Sequence, residues 1–456
     1  MGKLFAVVGL CLAAMATSVQ AQEGDTRVPN PNTEIERLRK VVLEEQQVIA
    51  ECMKRIDKLE AGKATMDKNG LADLKVSGDF RYRYEYIEED PQRLQASALH
   101  PFWAPKEEDS RDRHRIRLRV GADWKANEEW TVGAQLATTM DSDPVSTNQT
   151  LTGSFSKKDI WLNLAYFDYH PKQVPGLKLI GGKMKNPFYT PGGTQLIWDA
   201  DLTPEGLALT YTTGEKFPAW EAAVNAGYFQ VEERSIEEES DLFGLQGVVK
   251  YNLMEEGKAN IRAGLSYYDY GNAENFPPFV SATNNFGNSL SLAVMNGLTQ
   301  AGFYADDFNL VEAFAEVTFP VGKIPFTVFA DYVVNTAAND NYFDTGDGDT
   351  GWAAGLLVNR CVAPGSWAVR YEYRDLGRDA VVGAFTDSDF GGGGTNCRGH
   401  ILGAEYMMFK NVKLAATYFN NENEGSDLLR LIPTFGSREN PDGNYQRLQL
   451  DVNVKF

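Results

Sequence analysis

The chain has 456 residues and a formal net charge of −19, from 63 Asp and Glu against 44 Lys and Arg. That balance argues against a nucleic-acid partner, which would need a basic face. Beyond the first residues there is no apolar run long enough for a helical membrane span. The 42 Gly, 20 Tyr and 25 Phe suit many strands and tight turns instead.

The N-terminal residues have the form of an export signal. Met1 to Lys3 are short and positive, Leu4 to Ala16 are apolar, and Val19 and Ala21 are small, so 1–21 is expected to be a signal peptide cleaved before Gln22. Cys11 would leave with it. Cys52, Cys361 and Cys397 remain, an odd number with no metal-ligand spacing, and neither metal nor other cofactor is expected.

Residues 22–62 are expected to hold a periplasmic helix. Thr33 and Glu36 have capping-box spacing. Ile35, Leu38, Val42, Ile49, Cys52, Ile56 and Leu59 follow a 3,4 pattern between charged flanks, as a coiled coil requires. Residues 63–73 read as a linker.

From Leu74 the period changes to two. "LKVSGDFRYRYEYI" sets Val76, Phe80, Tyr82 and Tyr84 against Lys75, Asp79, Arg81 and Arg83. The same alternation recurs at 116–124, 220–228, 243–252 and 367–374. It returns in the final "RLQLDVNVKF". About sixteen such segments, joined alternately by short turns and long polar loops, describe an up-and-down outer-membrane β-barrel over 74–456. A soluble sandwich has no reason to segregate its loop lengths in this way.

"SRDRHRIRLRV" places Arg111, Arg113, Arg115, Arg117 and Arg119 at every second position, about 7 Å apart on one face of a strand. An arginine facing lipid costs about 2–4 kcal/mol at the membrane midplane, so the row must face the lumen. Arg81 and Arg83 widen it to two strands, with Asp79, Glu85, Asp112 and Asp123 available to neutralise part of it. Either the charges bias the pore toward anions, or they keep the wall wet and brace it against acidic loops.

The third long loop, within "NPFYTPGGTQLIWDADLTPEG", carries Asp199, Asp201 and Glu205. Folded inward, it would set the size limit and face the basic wall with acid. Phe102, Trp103, Tyr189 and Trp198 could guide sugars, which keeps a sugar- or phosphate-selective channel open as an alternative. A structural tether from outer membrane to cell wall is another. No GxSxG or HExxH is present, so no enzyme is expected. His114 is expected in the lumen or at the rim. "NDNYFDTGDGDTG" lacks the full spacing of a calcium loop and reads as an external acidic loop.

The segments "RIRLRVGADWKANEEWTVGAQLATTMDSDPVSTNQTL", "FSKKDIWLNLAYFDY", "GGKMKNPFY", "LIWDADLTPEG" and "DAVVGAFTDSDFGGGGTNCRGHILGAEY" resemble the putative porin family of Gram-negative outer membranes. The resemblance covers Leu74 to Phe456. It implies a passive, homotrimeric diffusion channel seated in outer-membrane lipid, with no substrate named. It further implies that Val452, Val454 and Phe456 form a signal read by the barrel-assembly machinery. Cell-wall contact would come through the helix. Cys361, expected in a short turn, and Cys397, expected near an outer loop, depart from the family pattern; a disulfide between them would contradict the strand assignment.

Overall fold

Strict alternation gives a strand one apolar and one polar face, and a row of such strands can bury its backbone in lipid only by closing on itself. In the computed structural model sixteen strands do so. They are β1 Leu74–Glu89, β2 Ser110–Lys125, β3 Trp130–Thr138, β4 Ile160–Tyr169, β5 Leu177–Lys183, β6 Glu205–Thr212, β7 Trp220–Glu232 and β8 Ser240–Asn252. They continue with β9 Asn260–Tyr270, β10 Phe308–Val321, β11 Ile324–Asn335, β12 Thr350–Val358, β13 Trp367–Leu376, β14 Cys397–Phe409, β15 Val412–Asn423 and β16 Gly443–Lys455. Each pairs antiparallel with its chain neighbours, and β16 returns to β1 with Phe80 opposite Val454 and Tyr86 opposite Leu448. A two-residue piece, Gln149–Thr150, pairs with β2 where β3 has ended.

The structure describes part of residues 36–57, then 73–89, 110–140, 143–214, 217, 219–254, 258–281, 284–291, 294–295, 298–299, 302–338, 348–423 and 443–456. The chain forms two units, Met1–Ala72 and Asp73–Phe456. In the first, every described residue between 36 and 57 is α-helical. Of the expected coiled-coil positions only Val42 is described, and it is exposed. The signal peptide, most of the coiled-coil seam, Cys52 and the linker up to Ala72 lie outside the described residues. So do Phe102, Trp103 and residues 339–347 of the acidic stretch.

In the second unit the loop lengths segregate by rim. Connections at one end are short, at 126–129, 170–176, 213–219, 253–259, 322–323, 359–366 and 410–411. Those at the other include 139–159 (the second loop), 184–204 (the third), 271–307 (the fifth) and 377–396 (the seventh). Cys361 falls in a short turn and Cys397 opens β14 beside the seventh loop. Neither is in a disulfide.

The outer face carries Val76, Val120, Val249, Leu265, Leu402 and Val452 exposed, which is where lipid tails lie. The core is inside the barrel. Met184, Phe188, Leu196 and Trp198 of the third loop pack with Phe279 of the fifth and Val381 and Val382 of the seventh. All of them cover Phe229, Tyr268, Phe308 and Leu310 on β7 to β10. Burying each large side chain contributes about 1.5–3 kcal/mol. One half of the lumen is thus filled by apolar loop segments, and polar residues line the half around β13 to β16 and β1 to β3.

The closing seam has one close approach. Gly78 exchanges backbone hydrogen bonds with Phe456 at 2.9 and 3.0 Å. A Cβ on Gly78 would lie 2.4 Å from the Arg119 carbonyl oxygen and 2.5 Å from the Phe456 ring. Overpacking of this kind costs about 1–3 kcal/mol. Gly78→Val is therefore expected to lower the denaturant midpoint of the barrel, read from the fraction migrating as folded on unheated gels. A midpoint equal to that of the parent would show that Phe456 does not pack there.

Candidate functional site

Arg81 lies opposite Arg117, and Arg83 opposite Arg115, across the β1–β2 pair. Like charges in register repel, so the wall depends on the carboxylates placed between them. From the other side β16 brings Asp451 opposite Arg83. Arg83 donates from Nε and Nη2 to both Asp451 oxygens, at 2.7 and 2.8 Å, and from Nη1 to Asp389 of the seventh loop at 3.1 Å. Arg113 donates to Glu85. Arg447 of β16 reaches that same carboxylate at 2.5 Å and Asp389 at 2.7 Å. Arg117 and Arg119 clasp Asp79 through Nε at 2.9 and 2.7 Å. Arg119 extends to Asp201 of the third loop at 3.0 Å, with Arg117 at 3.8 Å.

Two arginines are served less well. Arg81 Nη1 stands 3.9 Å from Asp451, and its Nη2 donates to Asn148 Oδ1 at 2.5 Å. Arg115 Nη1 stands 3.8 Å from Glu85, while Nη2 donates to Ser146 Oγ and the Asn148 carbonyl at 3.3 and 3.2 Å. The Nε of each is buried without a partner among the described residues. Asp79, Glu85, Asp201, Asp389 and Asp451 thus serve Arg81, Arg83, Arg113, Arg115, Arg117, Arg119 and Arg447. Among the described residues, five carboxylates meet seven guanidinium groups.

The third loop crosses the lumen. Its outward limb is fixed to the far wall: Tyr189 donates to Glu316 at 2.8 Å, and its backbone exchanges hydrogen bonds with Gln246 at 2.7 and 2.9 Å. At the tip, Gly192 donates to Glu316 at 2.8 Å and Arg370 donates to the Gly192 carbonyl at 2.5 Å. Gly192 has φ 57°, and a Cβ there would stand 2.2 Å from the Phe329 ring, so the tip requires glycine twice over. Thr194 donates to Glu372 at 2.9 Å, and the return limb delivers Asp201 to the ladder.

Three further loops hold it. Thr147 of the second donates to Asp201 at 2.8 Å. The seventh accepts from the Asp199 amide at Phe385 and donates from the Ser388 amide to the Asp199 carboxyl, at 2.8 and 3.0 Å. The fifth is tied to the seventh by the Ser289 amide on Asp379 and the Gly383 amide on Asn288, both at 2.8 Å.

These settings fix charge. Burial opposes ionisation of Asp201, yet Arg117 and Arg119 hold its carboxyl below the ordinary range. Burial likewise opposes Asp389, and Arg447 and Arg83 overcome it. Asp199 goes the other way: burial, then Asp201 and Asp387, push it well up, which favours the neutral acid. Between the ladder and the loops lies a cavity of about 270 Å³, whose lining includes Arg81, Arg117, Asn148, Asp199, Asp201 and Arg370.

The ladder residues named from sequence therefore share one wall, and Asp199 and Asp201 reach the cavity. Glu205 does not join them; it opens β6, is exposed, and pairs with Lys183 at 2.8 Å. Val452 and Val454 pair with Tyr82 and Phe80 at the seam. His114 is not in the lumen or at its rim. Its even number puts it on the outer face, 2.9 Å from the Tyr82 hydroxyl, and Asp112 shares that face, accepting from Tyr84. Trp198 is buried among the loops, and Tyr189 is committed to Glu316, so neither lies free along a sugar path. Sequence reasoning missed Asn148, Asp387 and Asp389, which sit in polar loops with no periodicity. Arg447 and Arg374 had only the alternation of their strands to mark them.

A family model described as "Putative porin" matches residues 12–291 and 284–456. The chain belongs to this porin family. No curated protein matches it. Among solved structures the porin is similar to OprB of Pseudomonas putida, at 10% identity over 87% of this chain and 97% of that one, with a TM-score of 0.50. It is also similar to Salmonella typhi OmpF, solved in complex with daunomycin, at 12% identity over 84% and 97% of the two chains, TM-score 0.47. A third is the outer membrane channel DcaP of Acinetobacter baumannii, at 13% identity over 84% and 97%, TM-score 0.43. At such identities the likeness is one of fold. Family and barrel together make this porin an outer-membrane channel protein.

The loop assembly has a pH dependence of known sign. Burial pushes Asp379 up from 3.8 to about 6. A raised folded-state carboxyl gives stability that is full below 3.8 and is lost as pH climbs through about 6. Hydrogen exchange at 284–291 and 377–388 is expected to show weaker protection at pH 7.5 than at pH 4.5, after correction for intrinsic rates. Asp379→Asn should remove the difference; its persistence in that variant would assign the effect to another group.

Proposed function

We propose that this porin is a water-filled channel for passive diffusion of small hydrophilic solutes and ions, with a preference for anions. The observation that carries the reading is the charge on the ladder side of the lumen, where, among the described residues, seven guanidinium groups are served by five carboxylates. Low-dielectric walls strengthen the field of that excess at the constriction. A passing anion is attracted there and a cation is repelled, as with other charged rows that line pores. Across the cavity Arg370 and Arg374 meet Glu372 and Asp387, two charges against two, with Arg374 and Asp387 3.1 Å apart. The reading includes export by the signal peptide, a homotrimer in outer-membrane lipid, and a helical segment in the periplasm.

In planar bilayers under a KCl gradient, the purified porin is expected to give stepwise conductance with a reversal potential on the chloride side. Replacing Arg115, Arg117 and Arg119 together by Ser removes three positive charges and should move that potential across zero toward potassium. An unchanged potential would place the ladder outside the permeation path. A protein that stays closed would overturn the channel reading.

A further inference from the structure

We propose that Arg81 and Asn148 form a docking site for the carboxylate of a small organic monoanion, on the ladder side of the lumenal cavity. The site rests on the channel reading and adds to it a resting place for the permeating solute.

Arg81 differs from the other arginines that line the cavity. Arg83 has both oxygens of Asp451, Arg117 has Asp79, and Arg370 and Arg374 have Glu372. Among the described residues the carboxylate within 4 Å of Arg81 is Asp451, at 3.9 Å, and Arg83 already occupies both of its oxygens. Arg81 Nε is buried with no partner among the described residues, although a carboxylate fork would engage it together with one Nη. A buried guanidinium without a counter-charge is unfavourable, and an incoming anion relieves that cost.

Asn148 stands where such a partner would be expected. Its side-chain oxygen accepts from Arg81 at 2.5 Å and its carbonyl accepts from Arg115 at 3.2 Å. Both are neutral acceptors, so the second loop orients the two under-served arginines without cancelling their charge.

The surroundings select the ligand. The acids that line the cavity are already committed: Glu372 and Asp387 to Arg374, Asp389 to Arg83 and Arg447, Asp201 to Arg119, and Asp199 to the Asp201 and Ser388 amides. An ammonium group therefore finds no unclaimed carboxylate there. A dianion would need a second free guanidinium, but Arg115 is turned onto Ser146 and Asn148 and does not line the cavity. One negative charge fits. The volume, about 270 Å³, equals roughly nine waters at ~30 Å³ each, room for an aromatic or short-chain acid.

The test is calorimetric titration of the full-length detergent-solubilised protein with benzoate and, separately, inorganic phosphate at matched ionic strength. Saturable benzoate binding is expected, weakened at least tenfold in Arg81→Gln. It should be weakened equally in Asn148→Asp, where a carboxylate built into the protein occupies the guanidinium. Lys172→Gln, on a short turn, should bind as the parent does. Folding of each variant is read from unheated gels, and either of the first two suffices if the other fails to fold. No benzoate binding by the parent, or undiminished binding by a folded Arg81→Gln or Asn148→Asp variant, would overturn the site. Tighter binding of phosphate than of benzoate would overturn its assignment to carboxylates. Conductance is recorded alongside: an open channel that binds no benzoate removes the site alone, whereas a closed channel removes the channel reading.

Discussion

The contact on which the lumen depends is the meeting of Asp201 with Arg117 and Arg119. It ties a loop to the barrel wall at a place where the wall would otherwise repel itself. Without a carboxylate from the third loop, Asp79 alone would face both guanidinium groups. With it, the loop's return limb is drawn to β2 while its tip is bolted to Glu316 and Arg370 on the other side. A loop fixed at both walls divides the lumen, and a cavity lined by Arg81 and Arg117 lies between it and the ladder.

Stability and position come from different chemistry here. Desolvating charges roughly cancels what buried ion pairs gain, so the ladder network is a weak source of net stability. The apolar cluster around Phe188, Trp198, Tyr268 and Phe308 supplies that and fills the half of the lumen away from the ladder. Packing thus decides which side of the barrel is closed. Charge decides where the loops stop on the side left open.

The strands were legible because period-two alternation is a local property. Val76, Phe80 and Tyr82 declare one face of β1 and Asp79, Arg81 and Arg83 the other without reference to any distant residue. The arginine ladder was legible for the same reason, since cost alone forbids it to lipid. The loops were not. Nothing in "DPVSTNQT" announces that Ser146, Thr147 and Asn148 turn inward, because a polar segment reads alike whether it meets water or buried arginines. Glu205 shows the converse: near Asp201 in sequence, it is parted from it by the start of β6. The identity of a charge was visible, while its partner depended on where four loops converge.

The Gly78–Phe456 seam, finally, bears on how the barrel closes. In the observed register Asp451 faces Arg83 and Gln449 faces Glu85. A slip of two residues, the smallest that keeps the apolar face outward, would set Asp451 against Glu85 in one direction. The same slip would leave Arg83 facing Asn453, and the opposite one would set Arg83 against Gln449. Backbone pairing would accept several alignments, but the observed one alone sets Arg83 against Asp451, so that pair marks the register in which the ring is shut.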